Sequence, residues 1–217
     1  MSRLPVVVLI SGGGTNLQAI IDAAERDLPI DIRAVISNKA DAYGLERAKQ
    51  AGIPTAVLEH QDFPDRESFD TALMELIDRY EPGLVLLAGF MRILTPDFVR
   101  HYHGRMLNIH PSLLPEFQGL HTHERALEAE VEKHGASIHF VTEELDGGPI
   151  ILQASVPILP GDDADRLAAR VLEKEHIIYP LAVRWFAQGR LALNEDQQVV
   201  LDGRIMNTPM QLEQATQ

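Results

Sequence analysis

The sequence predicts an α/β fold: a mostly parallel, doubly wound, Rossmann-like sheet with an antiparallel C-terminal edge hairpin and a long C-terminal helix. Three observations support this prediction. Short apolar runs alternate with amphipathic stretches in the first half, an Asp-Gly-Gly turn separates two apolar runs in the second half, and a long helical pattern follows. Strands buried on both faces are continuous apolar runs, and strands that alternate with helices form right-handed βαβ units.

The parallel part of the sheet is predicted from apolar runs that end at turn residues or polar side chains. The first run, Pro-Val-Val-Val-Leu-Ile-Ser, ends at three consecutive glycines, and a later run, Leu-Val-Leu-Leu-Ala, has no polar residue. Helices are predicted where apolar residues recur three or four positions apart. The predicted strands lie at residues 5–11, 32–37, 55–58, 84–88 and 106–109, and the predicted helices at residues 17–24, 45–51, 66–80 and 96–102.

The pattern changes after Gly135, where two apolar runs flank an Asp-Gly-Gly turn. A turn of this kind between two strands is typical of a hairpin, so residues 136–142 and 149–156 are predicted to pair in antiparallel fashion. Residues 163–187 predict a long helix, interrupted or kinked near Pro180 because proline cannot donate a backbone hydrogen bond.

The C-terminal end of the chain is predicted to add little to the core. A last small hairpin is predicted at residues 190–193 and 198–201, and a polar, frayed tail after about residue 204. One domain over residues 1–217, with its core at about residues 5–193, is the simplest organisation because no repeat, linker or low-complexity tract interrupts the pattern.

Composition excludes several classes of function. The chain has 217 residues, 45% of them hydrophobic, which is enough for a single buried core. A net charge of −13 argues against binding along a nucleic-acid backbone, which needs clustered basic residues. Cysteine is absent, so a disulfide framework, a thiolate zinc site and a cysteine nucleophile are excluded. The N-terminal apolar stretch is too short to span a bilayer, and a cytoplasmic protein is expected.

A glycine-rich loop follows the first predicted strand, with the sequence Gly-Gly-Gly-Thr-Asn at residues 12–16. Glycines let a backbone approach a ligand closely, and the N-terminus of the next helix favours an anion. No Lys-Ser or Lys-Thr follows the glycines, which argues against a nucleoside triphosphate loop. Leu17 occupies the place of a third dinucleotide-binding glycine, and no ribose-binding acid follows the second strand. A monophosphate site and a purely structural turn remain open.

Asn108 and His110 are two residues apart at the end of the fifth predicted strand, and Pro111 follows them. Side chains at i and i+2 lie on one face of a strand, so both can point to one substrate atom. An amide and an imidazole can donate hydrogen bonds to an oxyanion. Asp146, in the predicted hairpin turn, is a carboxylate that would favour the charged imidazole. Taken alone, these residues are more typical of an ordinary strand end and an ordinary turn than of a catalytic site.

Four blocks of sequence, at residues 10–20, 89–94, 107–115 and 139–149, strongly resemble the phosphoribosylglycinamide formyltransferase family, in that family's order. The resemblance covers about residues 5–193. The Asn-Ile-His-Pro-Ser block marks the wider group of formyl-folate enzymes, and Gly-Leu-His-Thr-His at residues 119–123 makes the resemblance more specific. It implies transfer of a formyl group from 10-formyltetrahydrofolate to the amine of glycinamide ribonucleotide, in purine biosynthesis.

The resemblance also implies roles for individual residues. Asn108, His110 and Asp146 match the family's catalytic residues: protonated His110 and Asn108 would stabilise the oxyanion, while Asp146 would favour that protonated state. Glu175 would meet the glycinamide amine. The residues that match the nucleotide-binding positions are Gly14, Thr15, Asn16, Leu172, Glu173, Lys174 and Glu175. Those that match the folate-binding positions are Arg66, Met91, Arg92, Ile93, Leu94, Asn108, Thr142, Glu143, Glu144, Leu145 and Asp146. Without the resemblance, residues 91–94 would be interpreted as ordinary packing and Glu175 as an acid on a solvated helix face.

The sequence departs from the family pattern in two places. Gly13 stands where asparagine is common, a mild change because backbone groups bind the phosphate. Glu-Phe-Gln at residues 116–118 replaces a basic residue, an aromatic residue and proline, and is expected to touch none of the three catalytic residues. The spacing of His121 and His123 could suggest a metal, but zinc sites need three or four ligands, so no metal is expected.

Three alternative functions are weighed against formyl transfer to glycinamide ribonucleotide. A formyltetrahydrofolate deformylase would share the catalytic residues but carry a regulatory domain before the first core strand. A methionyl-tRNA formyltransferase would need a longer C-terminal domain and a basic surface. A non-catalytic phosphosugar- or folate-binding module would not need a histidine–aspartate couple. The expected partners are small-molecule substrates, with no nucleic acid and no membrane, and the protein is expected to be a monomer or a homodimer.

Overall fold

The computed structural model describes residues 2–216. The chain forms two compact units, Met1–Asn108 and Ile109–Gln217. The single domain expected from the sequence stays a prediction. Within residues 2–216, no helix combines the length and the apolar character needed to cross a membrane.

The first unit is a parallel sheet with helical crossovers, as predicted. Its strands are β1 (Leu4–Ile10), β2 (Ile30–Ser37), β3 (Thr55–Val57), β4 (Leu84–Leu87) and β5 (Met106–His110), the last of which runs two residues into the second unit. Its helices are α1 (Thr15–Arg26), α2 (Gly44–Gln50), α3 (Arg66–Asp78) and α4 (Pro96–His101), with a 3-10 turn at His60–Asp62. The strand order is β5-β4-β1-β2-β3, and every neighbouring pair is parallel.

Burial explains why these apolar runs form central strands. The second half of β1 and all of β4 are buried, so a side chain on either face of the sheet contacts apolar neighbours. Side-chain caps fix two of the helix starts: Asp65 accepts a hydrogen bond from the Ser68 backbone, and Thr95 accepts one from Phe98. The loops that follow β1 and β4, and the end of β5, therefore share the carboxyl edge of this sheet, where α/β folds bind ligands.

The second unit contains the predicted hairpin and the long helix. Its strands are β6 (Lys133–Phe140), β7 (Ile150–Pro157), β8 (Leu191–Leu193), β9 (Val199–Leu201), β10 (Arg204–Ile205) and β11 (Met210–Gln211). Its helices are α5 (Thr122–Glu128), α6 (Ala164–Ala187) and α7 (Leu212–Ala215). Strands β6 and β7 are antiparallel, helix α6 packs on both, and β8, β9 and β10 form a separate antiparallel sheet.

Four details differ from the sequence predictions. The tail is not frayed over its described part, because Met210 and Gln211 pair with β7 and Leu212 is buried. The hairpin is consequently not at the very edge, since β11 lies outside β7 in parallel orientation. Helix α6 continues through Pro180 without the predicted interruption, while the alternative of a kink there stays a prediction. Helix α5 was not predicted.

Candidate active site

The glycine loop joins β1 to α1, as predicted. Gly14 has φ of +74°, and a Cβ there would lie 2.6 Å from the Gly44 Cα, so only glycine fits. A Cβ on Gly12 or Gly13 would meet nothing within 4 Å. The first turn of α1 contains no acidic side chain, so its N-terminal N–H groups keep their attraction for an anion.

One cation lies beside this loop. The Nε of Arg47 donates a hydrogen bond of 2.7 Å to the Gly13 carbonyl, and its guanidinium stacks over the Tyr43 ring at 5.0 Å. The sequence reasoning missed Arg47 because it lies on α2, more than thirty residues after the loop. A guanidinium at this place adds positive charge near the α1 N-terminus, which suits a phosphate.

The segment of residues 91–94 lies at the same edge of the first unit's sheet. The backbone N–H of Met91 donates a 2.8 Å hydrogen bond to the Ser11 hydroxyl, which in turn donates to the Asn38 side chain. The side chains of Met91 and Ile93 are 63% and 52% exposed, so they do not serve as core packing. Exposed apolar side chains on a tethered backbone are typical of a binding surface rather than of a packed interior.

The Arg92 side chain, unlike those of Met91 and Ile93, packs against the core of the first unit. Its guanidinium stacks over the Phe69 ring at 4.5 Å. The neighbouring Asp70 is buried and accepts a 2.7 Å hydrogen bond from the Thr95 backbone, which closes the segment at its far end. Arg66, the first residue of α3, is exposed to solvent.

Asn108 lies on β5, paired in register with Leu87 of β4, and is half-buried. The first unit therefore brings together the glycine loop, the segment of residues 91–94 and Asn108 at the carboxyl edge of one sheet.

His110 and Asp146 form a buried ion pair in the second unit. The His110 Nδ1 lies 3.5 Å from the Asp146 Oδ1, with side-chain exposures of 7% and 9%. The other ring nitrogen, Nε2, lies 2.9 Å from the Phe117 carbonyl oxygen. A carbonyl can only accept, so Nε2 must donate, while Nδ1 faces a carboxylate.

Asp146 is held in an uncommon conformation, with φ of +51°. This left-handed region is sparsely populated by non-glycine residues, and such residues concentrate at functional sites. Gly148 completes the turn, because a Cβ on it would collide with the Phe140 carbonyl oxygen. In the preceding segment Thr142 is half-buried, whereas Glu143, Glu144 and Leu145 are exposed.

The loop of residues 116–120 contacts both His110 and Asp146, and this corrects the sequence prediction that the Glu-Phe-Gln departure touches none of the catalytic residues. Phe117 supplies the carbonyl that accepts from His110. The Gln118 side chain donates to the Asp146 carbonyl at 3.2 Å, and the Gly119 backbone donates to the Asp146 carboxylate at 2.8 Å. The prediction failed because each of these three contacts uses a backbone atom, which residue types do not reveal.

A buried hydrogen-bond network fixes the segment that follows His110. The Ser137 hydroxyl donates to the Ser112 carbonyl at 2.7 Å and accepts from the Leu114 backbone at 3.0 Å. The Gln153 side chain donates to the Leu114 carbonyl at 2.9 Å, and Gln211 of β11 donates to Gln153 at 3.2 Å. Sequence reasoning missed these residues, although polar side chains inside strands that are otherwise apolar were an available signal.

His123 forms a pair with His134, its Nδ1 lying 3.1 Å from the His134 Nε2. Burial, together with the nearby His123 and His110, lowers the pKa of His134 to about 4. Burial also lowers the pKa of His123. Both rings are therefore neutral at pH 7, with the N–H of one donating to the other. Within residues 2–216, no cluster of three or more His, Cys, Asp or Glu residues could hold a metal ion.

Residues 172–175 lie on α6. Glu175 is only 7% exposed, so the interpretation of it as an acid on a solvated helix face is wrong. Its three neighbours in this segment are half-buried or exposed: Leu172, Glu173 and Lys174.

Comparison with known proteins shows which family the chain resembles. The formyl transferase family matches residues 4–183. The phosphoribosylglycinamide formyltransferase of Escherichia coli K12 is 60% identical over 200 residues, which cover 92% of this chain and 94% of that protein. The enzyme of the same name from Haemophilus influenzae is 52% identical over 202 residues, covering 93% and 95%. A solved structure of the phosphoribosylglycinamide formyltransferase from Coxiella burnetii superposes with a TM-score of 0.92 at 55% identity, covering 96% of this chain and 100% of that one.

Proposed function

The chain belongs to the formyl transferase family, and we propose that it transfers the formyl group of 10-formyltetrahydrofolate to the amine of glycinamide ribonucleotide. The products are N-formylglycinamide ribonucleotide and tetrahydrofolate, and the step belongs to purine biosynthesis. The observation that carries the proposal is the buried His110–Asp146 ion pair, with the second imidazole nitrogen held by a backbone carbonyl. Such a couple is needed for chemistry and not for binding alone.

Asn108, His110 and Asp146 are the residues that we propose to be catalytic. The substrate amine attacks the formyl carbon, a C–N bond forms, and the electrons of the C=O bond move to its oxygen. Asn108 donates a hydrogen bond to this oxyanion, for which donors at about 3 Å are effective, and protonated His110, whose two ring nitrogens face Phe117 and Asp146, stabilises it by its positive charge. When the intermediate collapses, the C=O bond re-forms and the bond to the folate nitrogen breaks. That nitrogen takes a proton, the new amide nitrogen loses one, and Asp146 keeps His110 protonated during the exchange.

The phosphate of the nucleotide would bind at the α1 N-terminus, where Gly14, Thr15 and Asn16 offer backbone donors and no acid opposes the charge. The buried carboxylate of Glu175 would bind the glycinamide amine, supported by its neighbours Leu172, Glu173 and Lys174 on α6.

The pterin of the folate would lie against residues 91–94, where the backbone of Arg92 and Leu94 can read its edge and the exposed Met91 and Ile93 can cover its faces. The turn of residues 142–146 would complete the folate site, and the exposed Arg66 would meet the folate's carboxylate tail. We further propose a cytoplasmic enzyme that needs no metal and acts as a monomer or homodimer.

One assay separates this function from its rivals. The purified protein is mixed with 10-formyltetrahydrofolate, with and without glycinamide ribonucleotide, and tetrahydrofolate release is followed. Formyl transfer requires release that depends strictly on the nucleotide. Release without nucleotide would identify a deformylase, and no release in either mixture would identify a binding module; either result would overturn the proposal.

A further inference from the structure

Arg125 is connected to the His110–Asp146 pair through the loop of residues 116–120. The loop contacts both members of the pair: the Phe117 carbonyl lies 2.9 Å from His110, and the Gly119 backbone donates to Asp146 at 2.8 Å. The position of this loop therefore sets the orientation of the imidazole and the carboxylate together.

The loop belongs to no regular secondary structure, so side chains must hold it. The Arg125 Nη1 donates to the carbonyls of Gln118 and Leu120, at 2.6 Å and 3.1 Å. These two carbonyls flank Gly119, the residue that donates to Asp146. Within residues 2–216, every hydrogen bond of the Arg125 guanidinium goes to this loop.

The Phe117 ring gives Arg125 a second contact with the loop. The Arg125 guanidinium stacks over it at 5.5 Å, and the His134 ring meets it edge-on at 6.0 Å. A guanidinium over an aromatic face is attractive because the face carries partial negative charge. The Phe117 ring thus lies between the Arg125 cation and the uncharged imidazole of His134. These two contacts also fix the Phe117 carbonyl, which accepts from His110.

The backbone of Arg125 and the first turn of its helix are held by hydrogen bonds. Its backbone N–H donates to the His121 carbonyl, and the Thr122 hydroxyl, at the start of α5, donates to the Pro111 carbonyl at 2.7 Å. Helix α5 is therefore tied to the residue that directly follows His110. The hydrogen bonds of Arg125 and Thr122 therefore connect the loop of residues 116–120 to α5 and α5 to Pro111. They restrict the positions that the loop can adopt while the guanidinium is present.

We propose that Arg125 is a positioning residue for the His110–Asp146 pair, acting through the loop of residues 116–120. The inference rests on the proposed function, since it assumes that this pair does the chemistry. A planar guanidinium suits the role, because its several donors in fixed directions can hold two carbonyls and stack on a ring at once. A catalytic group displaced by about 1 Å can lose about 10²-fold in rate. Removal of Arg125 should therefore lower turnover rather than substrate affinity.

The test compares Arg125→Ala and Arg125→Lys with Arg166→Ala, a matched control that removes an arginine donating to a loop carbonyl, that of Gly161. For Arg125→Ala we expect kcat to fall about 10- to 100-fold with KM for both substrates within about threefold. Arg125→Lys should be intermediate, and added guanidinium ion at non-denaturing concentration should restore part of the lost kcat. Arg166→Ala should match the unaltered protein. The ¹⁵N resonances of the His110 ring should shift in Arg125→Ala, shift less in Arg125→Lys and stay unchanged in Arg166→Ala.

The outcomes separate the two claims. Unchanged kcat and unchanged His110 resonances in Arg125→Ala, in a protein with nucleotide-dependent transfer, would overturn the positioning role alone. If the unaltered protein transfers no formyl group, the proposed function fails, while the ¹⁵N spectra still test whether Arg125 orients His110. If Arg125→Ala does not fold, Arg125→Lys decides, and wild-type kcat and spectra in that variant would overturn the inference.

Discussion

His110 and Asp146 form an ion pair of 3.5 Å in which both side chains are nearly buried. Because the second imidazole nitrogen faces the Phe117 carbonyl at 2.9 Å, both nitrogens have an acceptor as neighbour. In the mechanism that we propose, this arrangement favours a protonated imidazole while a substrate oxygen gains negative charge nearby.

The first prediction concerns the carboxylate of this pair. Asp146→Asn keeps the shape of the side chain and an oxygen for the Gly119 N–H, but it removes the charge that favours the imidazolium. Loss of a general acid or base function typically costs about 10²–10⁴ in rate, so kcat should fall on that scale while the folate is still bound. Steady-state kinetics and equilibrium binding test this. Asp196→Asn, in an exposed turn, is the control and should keep full activity.

The glycine loop gives a prediction with an internal control. Gly14→Ala places a Cβ 2.6 Å from the Gly44 Cα in a residue with φ of +74°, so it should lower the free energy of unfolding by about 1–3 kcal/mol and weaken nucleotide binding. Gly13→Ala and Gly13→Asn should be nearly neutral, because that position is open. Denaturant titration and nucleotide binding measure both effects. Equal losses at the two positions would refute the steric explanation.

The parallel sheet of the first unit could be predicted from sequence because burial on both faces leaves continuous apolar runs in β1 and β4. The two-residue strand β11 could not, since its pairing depends on β7 and not on its own residues. Within the candidate site, side-chain chemistry drew attention to His110 and Asp146. The Phe117 carbonyl remained hidden, because every residue carries a carbonyl and only the fold selects which one meets the imidazole.

The burial of a charged side chain also could not be predicted from the local sequence pattern. Glu175 has charged neighbours in the sequence, which predict an acid on the surface of a helix. In the structure it lies on the buried face of α6. Arg47 and Arg125 were missed for a related reason. Each acts on a loop from a neighbouring helix, and only the tertiary fold brings an arginine to a carbonyl of that loop.

The network behind His110 predicts a stability effect. Ser137→Ala removes the donor to the Ser112 carbonyl and the acceptor of the Leu114 N–H, both buried. Leaving buried polar groups unsatisfied costs about 1–3 kcal/mol each, so the free energy of unfolding should fall by at least about 1–3 kcal/mol. Urea titration is the measurement. Ser155→Ala, on the half-buried face of the adjacent strand, should change stability by less than about 0.5 kcal/mol.

The histidine pair predicts a pH dependence of stability. The pKa of His134 is about 4 in the folded protein and 6.5 as its ordinary value, so between these pH values only the unfolded state holds the proton. Stability must then fall as the pH drops from 6.5 toward 4. His134→Gln, which does not titrate, should lose about 1–2 kcal/mol less than the unaltered protein between pH 7 and pH 5.

Urea titrations at several pH values measure this difference. His103→Gln, which removes an exposed histidine, is the control and should follow the pH dependence of the unaltered protein. Parallel pH curves for His134→Gln and the unaltered protein would show that the His123–His134 pair is not the source.

The most direct test of the catalytic role of His110 is a single-turnover measurement of N-formylglycinamide ribonucleotide formation by the unaltered protein and by His110→Ala, with both substrates saturating. Loss of the positive charge that stabilises the oxyanion predicts a rate lower by about 10²–10⁴, with binding of both substrates retained. Formation of the product by His110→Ala at a rate close to that of the unaltered protein would contradict the role assigned to this residue.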